Sequence, residues 1–241
     1  MTSSPLGMIP SRSQPRRLPA SLACLVVTTG LLVSGCASWL PWQQREKAAR
    51  DQEKYGQTAD TRIKKLAERT KAAQGKPTPE QVAYTEELVR MLLEEHDPRV
   101  RCKILENAAL FDTSAATAIC KGGLQDPDTM VRMKACDVWA KRGGPEAVEL
   151  LAQRFQTDAD LDVRLRALRT LGDLKDKQAI PVLARALEDG DPAVQYRAVA
   201  SLKKVSGRDL GNDVNAWREW AVDPEAHKAE WSIAETFRRL F

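Results

Sequence analysis

Residues 189–203 read Asp-Gly-Asp-Pro-Ala-Val-Gln-Tyr-Arg-Ala-Val-Ala-Ser-Leu-Lys, and the spacing inside that stretch decides the fold. Asp191 is followed three residues later by Val194 and six residues later by Arg197. The same spacing recurs at Asp97 with Val100 and Lys103, at Asp128 with Val131 and Lys134, and at Asp160 with Val163 and Arg166. From valine to valine the steps are 31, 32 and 31 residues. A fixed period in this range marks stacked supersecondary units.

Each unit carries the apolar pattern of two helices. In the third, Ala147, Val148, Leu150, Leu151 and Phe155 form one stripe, a polar break follows at 156–160, and Val163, Leu165, Leu168 and Leu171 form a second. These are i, i+3, i+4, i+7 spacings. The fourth unit repeats them around the turn Asp189-Gly190-Asp191-Pro192. Asp-Pro suits a helix start, because the carboxylate accepts an orphan amide hydrogen bond and proline is tolerated in the first turn. Asp97-Pro98 does the same, whereas Asp126-Pro127-Asp128 reads as a turn two residues longer.

These residues resemble the HEAT-repeat family in the short-unit form also found in bilin lyases, over roughly residues 79–205. The resemblance implies an all-α fold, a right-handed α-α superhelix (α-solenoid) of about four HEAT-like repeats with a C-terminal capping helix. It also implies a charge ladder, in which Asp97, Asp128, Asp160 and Asp191 in the turns are exchanged between adjacent repeats with Lys103, Lys134, Arg166 and Arg197. Such repeats serve mostly as binding scaffolds and only occasionally as enzymes, so fold alone does not give function. Exposed ion pairs contribute about 0–1 kcal/mol each, against roughly 1.5–3 kcal/mol for a buried Leu or Val. Stacked apolar faces, with charges setting register, are therefore expected to hold the array.

Arg101, Arg132 and Arg164 directly follow three of the valines, and Gln195 takes that place in the fourth unit. They are the candidate partner-binding residues of a groove, with solvated helix surface as the alternative.

Working outward, residues 1–35 read as an export signal: Arg12, Arg16 and Arg17 precede an apolar stretch from Leu18 to Val33 that is short for a span of about 20 residues. Leu32-Val33-Ser34-Gly35-Cys36 then looks like a bacterial lipobox, which implies lipidation of Cys36 as a thioether and a signal peptide ending at residue 35. An ordinary secretory signal with an incidental cysteine is the alternative, and translation from Met8 instead of Met1 is equally open. Lipidation would anchor the chain, since buried acyl carbons contribute about 0.8 kcal/mol per CH₂. Trp39 and Trp42 follow, and indoles favour the headgroup region. Ala37 stands where an aspartate would retain family members at the inner membrane, so the expected location is the bacterial cell envelope, at the outer membrane facing the periplasm.

Removal of residues 1–35 lowers the net charge from +4 to +1, with 34 bases against 33 acids. No run of five basic residues occurs, and nothing favours nucleic acid. Residues 36–78 read as a tether and charged helical spacer, with Thr61 to Gln74 a solvated helix, and the first repeat helix starts at Thr78 or Pro79 and runs through Val82, Leu88 and Leu93. Residues 206–241 read as a C-terminal cap and terminal helix: Trp217 and Trp220 cover the last apolar face. From Asp223-Pro224 onward, Trp231, Phe237 and Phe241 mark a helix that docks on the array or receives a partner.

His96 and His227 lie four repeats apart, and the reversed Glu95-His96 lacks the ligand set of HEAT-type iron hydroxylases. A metal centre and a cofactor are not expected. Cys102, Cys120 and Cys136 are an odd set, read as buried thiols, with a Cys102–Cys120 bridge as the alternative. The expected role is a non-enzymatic scaffold for protein partners at a membrane surface. The alternative is a lyase-like or enzyme-accessory protein that holds a chromophore or small ligand in the repeat groove.

Overall fold

The computed structural model describes residues 41–224. Every described element is a helix: α1 Pro41–Tyr55, α2 Ala59–Gln74, α3 Thr78–Glu94, α4 Pro98–Ala108, α5 Ser114–Gly123, α6 Thr129–Arg142, α7 Pro145–Thr157, α8 Leu161–Leu174, α9 Ile180–Ala186, α10 Pro192–Ser206 and α11 Val214–Val222. A short 3-10 turn, Lys177–Ala179, leads into α9. The chain divides into residues 1–56 and 57–241. In the first unit α1 is a charged helix whose described side chains are all exposed. The leader, Cys36 and Trp39 lie outside the described residues, as does the side chain of Trp42. Among the described residues no helix is long and apolar enough to cross a membrane.

In the second unit, consecutive helices pair as the periodicity predicts. The second helices α4, α6, α8 and α10 stack on one another in chain order, and α3, α5, α7 and α9 pack beside them. The recurring valines Val100, Val131, Val163 and Val194 are all buried at the start of that stack. Leu105, Leu168, Leu171 and Leu202 continue it, each within 1% of full burial. Indole and hydroxyl groups tie the layers through buried hydrogen bonds. Trp139 Nε1 donates to the Cys120 carbonyl at 3.0 Å, and the Thr85 and Thr113 hydroxyls meet at 2.8 Å. At two places the helices approach so closely that a side chain is excluded. A Cβ on Gly172 would lie 2.8 Å from the Ser201 backbone, and one on Gly123 would lie 2.6 Å from Leu105 Cδ1.

Two expectations are corrected here. The stretch read as a solvated spacer contains α2, which packs against α4 with Ala59, Leu66 and Thr70 buried. Its three anchors suffice because Thr70 Oγ1 also meets the Tyr84 hydroxyl at 2.7 Å, joining α2 to α3. On α3, Leu88 is buried as expected, but Leu93 is 80% exposed in the last turn.

At the other end, α11 begins at its capping Asp213, and Trp217 and Trp220 are buried in an edge-to-face pair, closing over α9 and α10. Asp209 pairs with Lys203 at 2.8 Å and Asn212 accepts from the same amine. Cys102, Cys120 and Cys136 are free and buried. Burial pushes the Cys102 thiol up to about 11 and the Cys136 thiol up to about 12.

Candidate functional site: the face of the second helices

The charges settle into two systems. Asp97, Asp128, Asp160 and Asp191 each cap a helix, accepting from the amides of Arg99, Met130, Asp162 and Ala193 at 2.8–2.9 Å. Their side chains therefore satisfy the first turn of their own helix. The expected exchange with Lys103, Lys134, Arg166 and Arg197 does not occur. Lys103 and Lys134 both reach Glu106, at 3.3 and 2.7 Å, and Arg166 reaches Asp137 at 3.2 Å. Arg197 forms no ion pair among the described residues.

The ladder between repeats is built from other residues, and it absorbs the arginines expected to face a partner. Two residues before each capping aspartate stands an acid: Glu95, Asp126, Asp158 and Asp189. Each accepts from the amide of that aspartate. Each also receives a guanidinium from the preceding second helix. Arg62 meets Glu95 at 2.5 Å, Arg101 meets Asp126 at 2.8 Å, Arg132 meets Asp158 at 2.9 Å, and Arg164 approaches Asp189 to 3.9 Å.

Arg101 and Arg132 are forked. Nε and Nη2 grip the next repeat's carboxylate, and Nη1 donates to the two carbonyls that open its own turn. Gln195 donates to the Asp189 carbonyl in the same way. With side chains only 12% and 14% exposed, Arg101 and Arg132 are structural clasps. Burial would raise the Asp158 carboxyl, but bonds from Arg132, the Asp160 amide and Arg154 hold it below the usual carboxylate range.

The surface left open lies one turn further along the second helices. Lys103, Glu106, Asn107, Leu110, Val138 and Lys141 line a depression of about 500 Å³ between α4 and α6. Glu106, Val138 and Lys141 also border a second depression of about 260 Å³, continued by Lys134, Asp137 and Asp173 toward α8. Glu106 sits between them; burial would raise its carboxyl, yet bonds from Lys134 and Lys103 hold it low and ionised.

Three features set the first depression apart. Leu110 is 55% exposed, Lys141 is exposed and forms no ion pair among the described residues, and Asn107 Nδ2 is buried with no hydrogen-bond partner. An unpaired buried amide donor costs roughly 1–3 kcal/mol until something accepts from it. The groove therefore offers a cation and an apolar step side by side, with the unsatisfied amide donor buried beneath them.

Among the described residues no three His, Cys, Asp or Glu side chains gather to hold an ion. His227 and Cys36 lie outside them. Sequence reasoning missed Glu95, Asp126, Asp158 and Asp189, although they recur at the same period two residues ahead of the capping aspartates. It also missed Asn107 and Leu110, which no repeated pattern marks. A family model described as HEAT repeats matches residues 85–165 and again residues 151–226. No curated protein matches the chain.

Proposed function

The chain belongs to the HEAT-repeat family, and from that premise we propose that it is a non-enzymatic scaffold or adaptor for protein partners. HEAT repeats generally mediate protein–protein interaction, and a lipid on Cys36 would hold this array at the bacterial cell envelope, on the outer membrane facing the periplasm. The observation that carries the binding role is the groove between α4 and α6, where the Lys141 ammonium, which forms no ion pair among the described residues, stands beside exposed Leu110. A peptide segment with a carboxylate next to an apolar side chain matches the ammonium and the apolar step at once. Its carboxylate accepts from Lys141, and its apolar side chain covers Leu110 and Val138. Charge-assisted hydrogen bonds of this kind are about twice as strong as neutral ones.

The test is co-purification from the native cell envelope in mild detergent. The full chain is compared with Leu110→Asp, Lys141→Glu and, as a control on the opposite layer, Lys177→Glu. The expected result is a defined protein retained by the wild type and the control and lost from both groove variants. Equal retention by all four would refute the groove. In parallel, Cys36→Ser should move the protein from the membrane to the soluble fraction; unchanged partitioning would refute the anchor.

A further inference from the structure

The bases six residues after each cap do not all find an acid. Lys134 reaches back to Glu106 at 2.7 Å, and Arg166 reaches back to Asp137 at 3.2 Å. In both cases the acid is the ninth residue after the cap of its own helix. On α8 that ninth residue is Arg169, and the sixth residue on α10 is Arg197. The junction of α8 and α10 therefore sets a base against a base where the two junctions before it set a base against a carboxylate.

Close packing fixes the register there. Ser201 Oγ donates to the Leu168 carbonyl at 2.8 Å, and Lys204 reaches Asp173 at 2.7 Å. Arg197 stands one turn before Ser201 on the same face of α10. Neither neighbouring acid is left for it. Asp137 is taken by Arg166, and Asp173 is shared by Lys204 and, at 3.9 Å, by Arg169. Arg197 is half-buried and forms no ion pair or hydrogen bond among the described residues, and the Arg169 side chain is 53% exposed. Arg169, Arg197 and Lys204 thus share one carboxylate.

Two guanidinium groups at one junction repel each other, and a carboxylate between them replaces that repulsion by two charge-assisted pairs. The planar fork of arginine matches a carboxylate in both shape and charge. The position also continues the surface already described, because Asp173 borders the same depression as Glu106 and Lys141.

We propose that Arg169 and Arg197 receive an aspartate or glutamate side chain of a protein partner, which supplies from outside the carboxylate that this junction lacks. The proposal rests on the scaffold reading in one respect, that a protein presents the acid. Its residues are distinct from Leu110 and Lys141, so the two sites can fail separately.

The test is fluorescence anisotropy of the full chain with a fluorescein-labelled hexapeptide containing two adjacent glutamates, and with the same peptide carrying glutamines instead. At low salt the wild type should bind the glutamate peptide at least about tenfold more tightly. Arg197→Gln removes one guanidinium, and Arg169→Glu places an acid of the chain's own opposite Arg197. Each should weaken the glutamate peptide at least about fivefold while the helical circular dichroism is kept. Lys177→Glu, which changes the net charge as Arg169→Glu does, should leave binding unchanged.

No preference for glutamate in the wild type, undiminished binding in both arginine variants, or an equal loss in Lys177→Glu would each overturn the site. Loss in Leu110→Asp alone would put the acid in the groove between α4 and α6, removing this site and sparing that one. Binding to phosphatidylglycerol vesicles but not to the peptide, abolished by Arg169→Glu, would make a lipid headgroup the occupant and overturn the protein partner.

Discussion

Replacing Arg132 by alanine should destabilise the domain far more than replacing Arg164, although both arginines follow a recurring valine. Arg132 grips Asp158 with two nitrogens at 2.9 and 3.1 Å, and the Asp158 side chain is only 2% exposed. Removing one partner of a buried pair costs about 3–5 kcal/mol when the other is left bare. Asp158 is not left bare: Arg154 Nη1 stays at 3.1 Å and the Asp160 amide at 3.0 Å. Two turn carbonyls also lose a donor but reach water more easily. The expected cost is therefore about 2–4 kcal/mol.

Arg164 lies 3.9 Å from Asp189, with the pair 30% and 25% exposed, and should cost about 0–1 kcal/mol. Urea denaturation followed by far-ultraviolet circular dichroism measures both. A pH series gives a second arm. The folded Asp158 carboxyl lies below its unfolded value, so its contribution is present above about pH 4 and is lost as pH falls through the folded value. Arg132→Ala should flatten the stability curve below pH 4 and leave its slope near neutrality unchanged. Equal costs for the two arginines, or an unchanged acid slope, would refute the division into clasped and loose rungs.

Gly172→Ala should lower stability more than Gly123→Ala, because its new methyl meets the Ser201 backbone, whereas Gly123 faces the movable end of Leu105; overpacking typically costs about 1–3 kcal/mol, and thermal melts rank the pair. Leu66→Ala should cost about 2–5 kcal/mol if α2 belongs to the folded body, and urea melts showing no change would return that helix to the solvent. Stability should also fall as pH rises above about 9. There the unfolded thiols ionise, while folded Cys102 and Cys136 stay protonated to about 11 and 12. Each thiol then contributes a slope of about 1.4 kcal/mol per pH unit, and Cys136→Ala should reduce that slope whatever it does to stability at neutral pH.

The fold was legible because its signal is repeated. Four copies of one spacing place Val100, Val131, Val163 and Val194 at equivalent buried sites, and the terminal Trp217 and Trp220 announced a cap by departing from the pattern. The capping role of Asp97 and Asp191 was equally readable, since an Asp-Pro pair has few other local uses. The site was not readable. Charge on a helix face looks the same whether it meets water or the next repeat, and nothing short of the stacking geometry assigns Arg101 and Arg132 to Asp126 and Asp158. The same stacking left Asn107 without a partner beside Leu110, a juxtaposition made by two helix turns and the neighbouring α6. The spacer reading of α2 failed for a related reason: a helix with three buried positions looks solvated until a neighbour supplies the rest of the core.

The paired acid and guanidinium at each junction have a consequence for how such an array can change in length. Arg101 and Arg132 each present the same plug, with Arg164 a looser form of it, and Glu95, Asp126 and Asp158 the same socket, so an interior unit copied in tandem would meet a compatible neighbour on both sides. Duplication or loss of one interior unit leaves every remaining plug filled. At α10 the plug is Gln195, which accepts no such substitution without stranding a carboxylate. The array is thus extensible in its middle and terminated chemically at one end.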